Sequence, residues 1–158
     1  MTSAGTPATE ALRAAEVAFT MHAYAHDPRA TSYGLEAAEA LGVDPDRVFK
    51  TLMIEADGSL AVVVVPVSGT VDLKAAASAL GAKRAQLADP AAAQRATGYV
   101  LGGISPIGQK RRHRTVIDET AELWESVLVS GGRRGLDVEL SPRDLIDLTQ
   151  GIVAAVGR

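Results

Sequence analysis

Residues 51–67 read Thr-Leu-Met-Ile-Glu-Ala-Asp-Gly-Ser-Leu-Ala-Val-Val-Val-Val-Pro-Val. Two apolar runs, Thr51–Glu55 and Leu60–Val67, flank Asp57-Gly58. Asp-Gly tolerates the positive φ angles that a two-residue hairpin turn demands, so the stretch predicts a β-hairpin. The second arm is apolar at nearly every position, the pattern of a strand buried on both faces. A sheet with Leu60–Val67 at its centre is therefore the frame on which the rest of the chain must pack.

Outward from the hairpin, helices are announced by their caps. Asp72 predicts a helix through Leu80, stopped by Gly81, and Asp89-Pro90 predicts another through Arg95. Asp44-Pro45 starts a short turn toward Phe49 and Lys50, and Gly34–Leu41 reads as a helix closed by Gly42. Thr6-Pro7 opens a first helix with Leu12, Ala15 and Val17 on one side. Phe19–Tyr24 alternates as a strand until His26-Asp27-Pro28 breaks it. Val116–Asp118, Ser126–Val129 and Leu136–Leu140 are further short strands. Ser141-Pro142-Arg143-Asp144 opens a last helix whose packed face is expected at Leu145, Leu148, Ile152 and Val156. The sum is one α/β domain over residues 1–158, strand-rich in the middle, with residues 1–6 expected to be flexible.

A chain of 158 residues, 47% hydrophobic and 22% charged, has the size and composition of one compact domain. No apolar run reaches the length of a membrane span, and residues 1–8 lack the charged-then-apolar pattern of a secretory signal. A cytoplasmic protein with no membrane partner is expected. There is no cysteine, hence no thiolate nucleophile and no cysteine-based zinc site. Of the three histidines, His22 and His26 are four apart without a third ligand at suitable spacing, so no metal is expected. A Walker pattern and a Gly-x-Ser-x-Gly elbow are both missing. A net charge of −3 argues against broad nucleic-acid affinity and leaves local patches, Lys110, Arg111, Arg112 and Arg114, then Arg133 and Arg134.

Residues 98–114, Gly-Tyr-Val-Leu-Gly-Gly-Ile-Ser-Pro-Ile-Gly-Gln-Lys-Arg-Arg-His-Arg, carry the chemical information. Gly102-Gly103 admits close approach of a ligand and can aim backbone N–H groups at one oxygen. The cations that follow can hold phosphates, which together suits an acyl group attached to RNA. Lys50, between Phe49 and an apolar run, is placed to join these N–H groups in stabilising an oxyanion. Each feature also has a plainer reading. Lys50 can be a strand-end lysine snorkelling to water, Gly102–Pro106 a tight connection and Lys110–Arg114 a solvated loop. Asp137 can be an outward-facing strand residue, and Tyr24 and Tyr33 core aromatics.

Taken in order, six segments resemble one family. They are His-x-Tyr-x-His-Asp-Pro (22–28), Val-Phe-Lys-Thr-Leu (48–52), Asp-Leu-Lys (72–74), Ala-Asp-Pro-x-x-Ala-Gln-Arg-x-Thr-Gly-Tyr (88–99), Gly-Gly-Ile-Ser-Pro-Ile-Gly-Gln-Lys (102–110) and Ser-Gly-Gly-x-Arg-Gly-Leu-Asp (130–137). Together they resemble the YbaK family, free-standing relatives of the editing domain inserted in prolyl-tRNA synthetase. The resemblance runs from about His22 to Leu140. It implies a mixed, largely antiparallel, β-barrel-like sheet surrounded by helices. It also implies trans-editing, the hydrolysis of cysteine wrongly esterified to proline tRNA, as a second sieve behind a synthetase pocket.

The same resemblance carries a central role onto Lys50 and the ester-lining turn onto Gly102 and Gly103, shaped by Ser105 and Pro106. Substrate contacts carry onto Tyr24, Tyr33 and Asp137, with Tyr33 standing where the family has phenylalanine. Lys110, Arg111, Arg112 and Arg114 are the expected tRNA contacts. No cofactor is implied, because the substrate's own thiol is thought to attack its ester, leaving positioning and charge stabilisation to the protein. The implied partners are the acceptor end of a misacylated tRNA and prolyl-tRNA synthetase. Two rival readings stay open: deacylation of another misacylated tRNA such as Ala-tRNA(Pro), and a non-catalytic aminoacyl-RNA-binding regulatory module.

Overall fold

The computed structural model describes residues 5–158. Residues 1–4 of the stretch expected to be flexible lie outside the described residues, while Thr6 is the buried N-cap of the first helix. Element order is α1 (Pro7–Ala14), β1 (Thr20–Ala23), α2 (Tyr33–Leu41), β2 (Phe49–Ala56), β3 (Ser59–Pro66), α3 (Leu73–Ala79) and β4 (Ala85–Leu87). It continues with α4 (Pro90–Thr97), β5 (Arg114–Asp118), a 3₁₀ turn (Glu119–Leu123), β6 (Val127–Arg133), β7 (Leu136–Leu140), α5 (Pro142–Thr149) and β8 (Ile152–Ala154).

The hairpin forms as its turn chemistry requires. Asp57 and Gly58 both have positive φ, 48° and 86°, and Ala56 pairs with Ser59 across the two-residue loop. The Asp57 carboxylate also accepts the backbone N–H groups of Lys83 and Arg84 at 2.9 and 3.1 Å, which ties the turn to the start of β4. Strand β3 is central in a five-stranded sheet of order β4-β2-β3-β5-β8. Its Val62 and Val64 side chains enter one core with Phe49, Ile117, Val129, Val138 and Leu145. Its Ala61, Val63 and Val65 enter a second with Ile54, Ala76, Leu80, Val116 and Val156. An apolar run without alternation is what two covered faces demand.

The second sheet has three antiparallel strands, β1-β7-β6. Four of the six strand pairings are antiparallel, and β3–β5 and β5–β8 are parallel, so the sheets are mixed and largely antiparallel. They do not close into a barrel; an isolated parallel bridge, Val48 to Leu128, joins them. The expected caps are in place: Thr6, Asp72, Asp89 and Ser141 accept N–H groups of the first helical turn, with proline at N1 after three of them. The last helix is shorter than its apolar spacing suggested. Gln150 turns left-handed at φ 52°, so Ile152 joins β8 beside β5 and Val156 belongs to the second core. The first helix likewise stops at Ala14, before Val17.

Candidate active site

Strand β4 pairs with β2 at Ile54–Ala56 and the Ala88 N–H reaches the Met53 carbonyl at 3.0 Å, so β4 leaves the stretch 50–52 uncovered on that edge. A cavity of about 340 Å³ occupies the opening. Phe49–Met53 form one wall, Tyr33 and Gly34 from the start of α2 another, and Leu101-Gly102 a third. Tyr24, just past the end of β1, and Ser130 and Asp137 from the smaller sheet line it too. Strand pairing and helix packing bring these segments together.

Lys50 borders this cavity and makes no ion pair among the described residues. Partial burial pulls its ammonium below the usual lysine range. A cation in a partly buried pocket with no carboxylate paired to it is available to a developing negative charge. Strand pairing sets Asp137 opposite both His22 and Ser130. It is 5% exposed, and burial pushes its carboxyl up to about 7. Tyr24 is pushed up to about 12, first by burial and then by the charge of Asp137.

The glycine turn is sterically over-determined. Gly102 has φ 82°, and a Cβ there would lie 2.8 Å from the Tyr33 ring, which packs on its backbone. Arg134 covers the ring at 4.9 Å from the centroid, and its Nε donates to the Leu101 carbonyl at 2.8 Å. Gly103 does other work. It does not line the cavity, its N–H donates to the Val100 carbonyl at 2.9 Å, and its Cβ position is 2.8 Å from Arg133 Cα. The space that a Cβ would take there is filled by the Arg133–Arg134 backbone.

The remaining expected residues divide. Tyr24, Tyr33, Lys50, Gly102 and Asp137 share the cavity. Ser105 and Pro106 are buried outside its lining, where Ser105 Oγ accepts the Ile107 N–H at 3.2 Å and braces the turn. Lys110, Arg111 and Arg112 lie exposed, the first two hydrogen-bonded through their backbone to the last turn of α4. Arg114 is exposed as well and donates to the Leu80 carbonyl at 2.8 Å; none of the four lines the cavity. The lining also includes polar or small residues that the sequence reading does not mark as functional, among them Ser130, Gly34 and Thr51. Gly34 allows α2 to pass Val67, whose Cγ1 is 2.3 Å from its Cβ position. Thr51 Oγ1 is buried and finds no hydrogen-bond partner among the described residues. Ser130 and Thr51 lie inside the quoted motifs, while Gly34 carried no signal beyond its place at a helix start.

Among the described residues no three His, Asp or Glu side chains cluster as metal ligands, and no helix is long and apolar enough to cross a membrane. His22 bonds Glu139, His26 bonds Glu36 and His113 bonds Gln109, at 2.8, 2.8 and 2.7 Å.

An α/β fold thus holds a cation, a glycine turn and a buried carboxyl around one small cavity. Comparison with known proteins places it more narrowly. Residues 26–148 match the aminoacyl-tRNA editing domain, and the chain belongs to that family, the YbaK-type editing domains. It is 38% identical over 120 residues to EbsC of Enterococcus faecalis, a proposed Cys-tRNA(Pro)/Cys-tRNA(Cys) deacylase, covering 75% of this chain and 73% of that protein. A proline–tRNA ligase of Moorella thermoacetica is 37% identical over 73 residues, 46% of this chain and 13% of the ligase. Among solved structures, hypothetical protein APE2540 superposes with a TM-score of 0.85 at 26% identity, covering 97% of this chain and 100% of that one. A proposed trans-editing enzyme for prolyl-tRNA synthetase superposes at 0.82 with 23% identity, covering 99% of both chains, a likeness of fold.

Proposed function

We propose that the protein deacylates Cys-tRNA(Pro) and that the substrate's own thiol is the nucleophile. The reading is carried by the unpaired Lys50 ammonium facing the same small cavity as Gly102 and Asp137. The cysteinyl ester lies in the cavity with its carbonyl oxygen toward Lys50 and the Gly102 N–H. The thiol sulfur attacks the carbonyl carbon, the ester C–O bond breaks, and the thiol proton ends on the departing ribose oxygen. Water then opens the released thiolactone. Lys50 and Gly102 stabilise the tetrahedral oxyanion, while the Asp137 carboxylate, with Tyr24 and Ser130 beside it, holds the α-ammonium. The likeness to EbsC supports the cysteinyl substrate, and the stretch shared with a proline–tRNA ligase supports the proline tRNA.

Exposed Leu87 and Leu101 at the mouth supply apolar contact for the nucleotide bearing the ester. Prolyl-tRNA synthetase is the proposed partner that supplies selectivity for the tRNA body, since a chain of net charge −3 offers little general affinity. The test is single-turnover deacylation of Cys-tRNA(Pro). Wild type should accelerate release, and Lys50→Ala should slow it on the order of 10²-fold while melting at nearly the same temperature. Equal rates would remove Lys50 from the chemistry, and a wild type no faster than buffer would sink the proposal.

A further inference from the structure

We propose that Arg134 is a positioning residue: it locks the Leu101–Gly102 peptide in the orientation that aims the Gly102 N–H at the reacting ester. This rests on the role given above to Gly102. The Gly103 N–H bonds the Val100 carbonyl at 2.9 Å, so Val100–Gly103 is a hydrogen-bonded turn with Leu101 and Gly102 at its centre. Gly102 holds φ 82°, the value of the third residue in a type II turn. Type I and type II turns differ chiefly by a flip of this central peptide, and glycine at the third position permits both. The turn is therefore a two-state element.

One state suits the chemistry. A trans peptide carries its C=O and N–H on opposite sides, so whatever fixes the carbonyl fixes the N–H. The Leu101 carbonyl accepts Arg134 Nε–H at 2.8 Å. The Gly102 N–H, directed away from that contact, donates to no described residue. Arg134 is itself held by stacking on Tyr33, 4.9 Å from the ring centroid, and the ring lies against Gly102. The Tyr33 ring thus touches both the guanidinium and the Gly102 backbone, and the hydrogen bond to the Leu101 carbonyl ties Arg134 to the same turn. In the flipped turn the carbonyl would replace the N–H and repel the oxyanion. A planar donor that stacks and hydrogen-bonds at once is a property of arginine that lysine lacks.

The rival explanation for an exposed arginine at the rim is a phosphate contact, and the two predict different kinetics. The experiment compares wild type, Arg134→Gln and Arg134→Lys in full-length, ¹⁵N-labelled protein. It reads the Gly102 amide resonance without substrate and deacylation of Cys-tRNA(Pro) across salt concentrations. We expect a shifted Gly102 amide and a kcat lowered by about tenfold or more in both variants. KM should stay within about threefold, with an unchanged salt slope. Recovery of kcat in Arg134→Lys overturns the proposal. So does a rise in KM with a salt slope reduced by about 0.7, the mark of one lost phosphate contact on a single strand. An unmoved Gly102 amide in Arg134→Gln also overturns it. If wild type fails to deacylate, the reading of function is lost, yet the amide comparison still decides whether Arg134 orients the peptide.

Discussion

Replacing Asp137 with asparagine tests the electrostatics of the site in a form that does not depend on substrate. Asp137 is 5% exposed, and burial raises its carboxyl from 3.8 to about 7. Between those values the folded protein keeps a proton that the unfolded chain has released, so stability falls as pH rises through the window. The loss is complete once the folded carboxyl has ionised, above about pH 7. At 1.36 kcal/mol per unit, three units correspond to about 4 kcal/mol, an upper value because the cavity admits water. Asparagine cannot ionise and escapes the loss. Asp137→Asn should therefore be more stable than wild type at pH 8, by as much as about 10 °C in Tm for a chain of this size. At pH 4 the advantage should vanish. Thermal or urea unfolding at pH 4, 6 and 8 reads the difference directly. Parallel curves for the two proteins across that range would refute a buried, destabilising carboxylate. The same variant should lose kcat/KM for the cysteinyl ester, and wild-type kcat/KM should gain a limb near pH 7 that the variant lacks.

The glycine turn gives two contrasting outcomes. Gly103→Val should lower Tm or prevent folding, because its branched carbon meets the Arg133–Arg134 backbone at 2.8–3.0 Å. Gly102→Ala should fold but displace the Tyr33 ring, which would stand 2.8 Å from the new methyl, and its deacylation should fall at least tenfold. Tyr33→Phe should keep activity within about threefold, since the ring rather than the hydroxyl packs on Gly102 and under Arg134. With prolyl-tRNA synthetase added, deacylation of cysteine on proline tRNA should gain over the same ester on another tRNA; an unchanged ratio would remove the synthetase as the source of selectivity.

The frame of the fold was legible where local chemistry decides it. Asp57-Gly58 dictates its turn, Asp72, Asp89 and Ser141 cap their helices, and the unbroken run in β3 announces burial on two faces. Strands β4 and β8 were not, because three residues such as Ala85-Gln86-Leu87 carry no period and exist through their partners β2 and β5. Apolar spacing also runs the last helix on to Val156, whereas a left-handed Gln150 ends it. At the site, motif residues such as Lys50 and Asp137 could be named from the sequence, but their shared cavity arises from long-range strand pairing. Which glycine borders the cavity is likewise invisible in a Gly-Gly pair. Gly102 packs under Tyr33 at the cavity, whereas Gly103 makes room for Arg133.

The most direct test of a thiol-assisted editing hydrolase is the ratio of single-turnover deacylation rates for cysteine, alanine and proline esterified to the same proline tRNA. Attack by the substrate's own sulfur requires a side chain that alanine and proline lack, so only the cysteinyl ester should be released well above its spontaneous rate. Comparable acceleration of Cys-tRNA(Pro) and Ala-tRNA(Pro) would show that water is the nucleophile and contradict the mechanism.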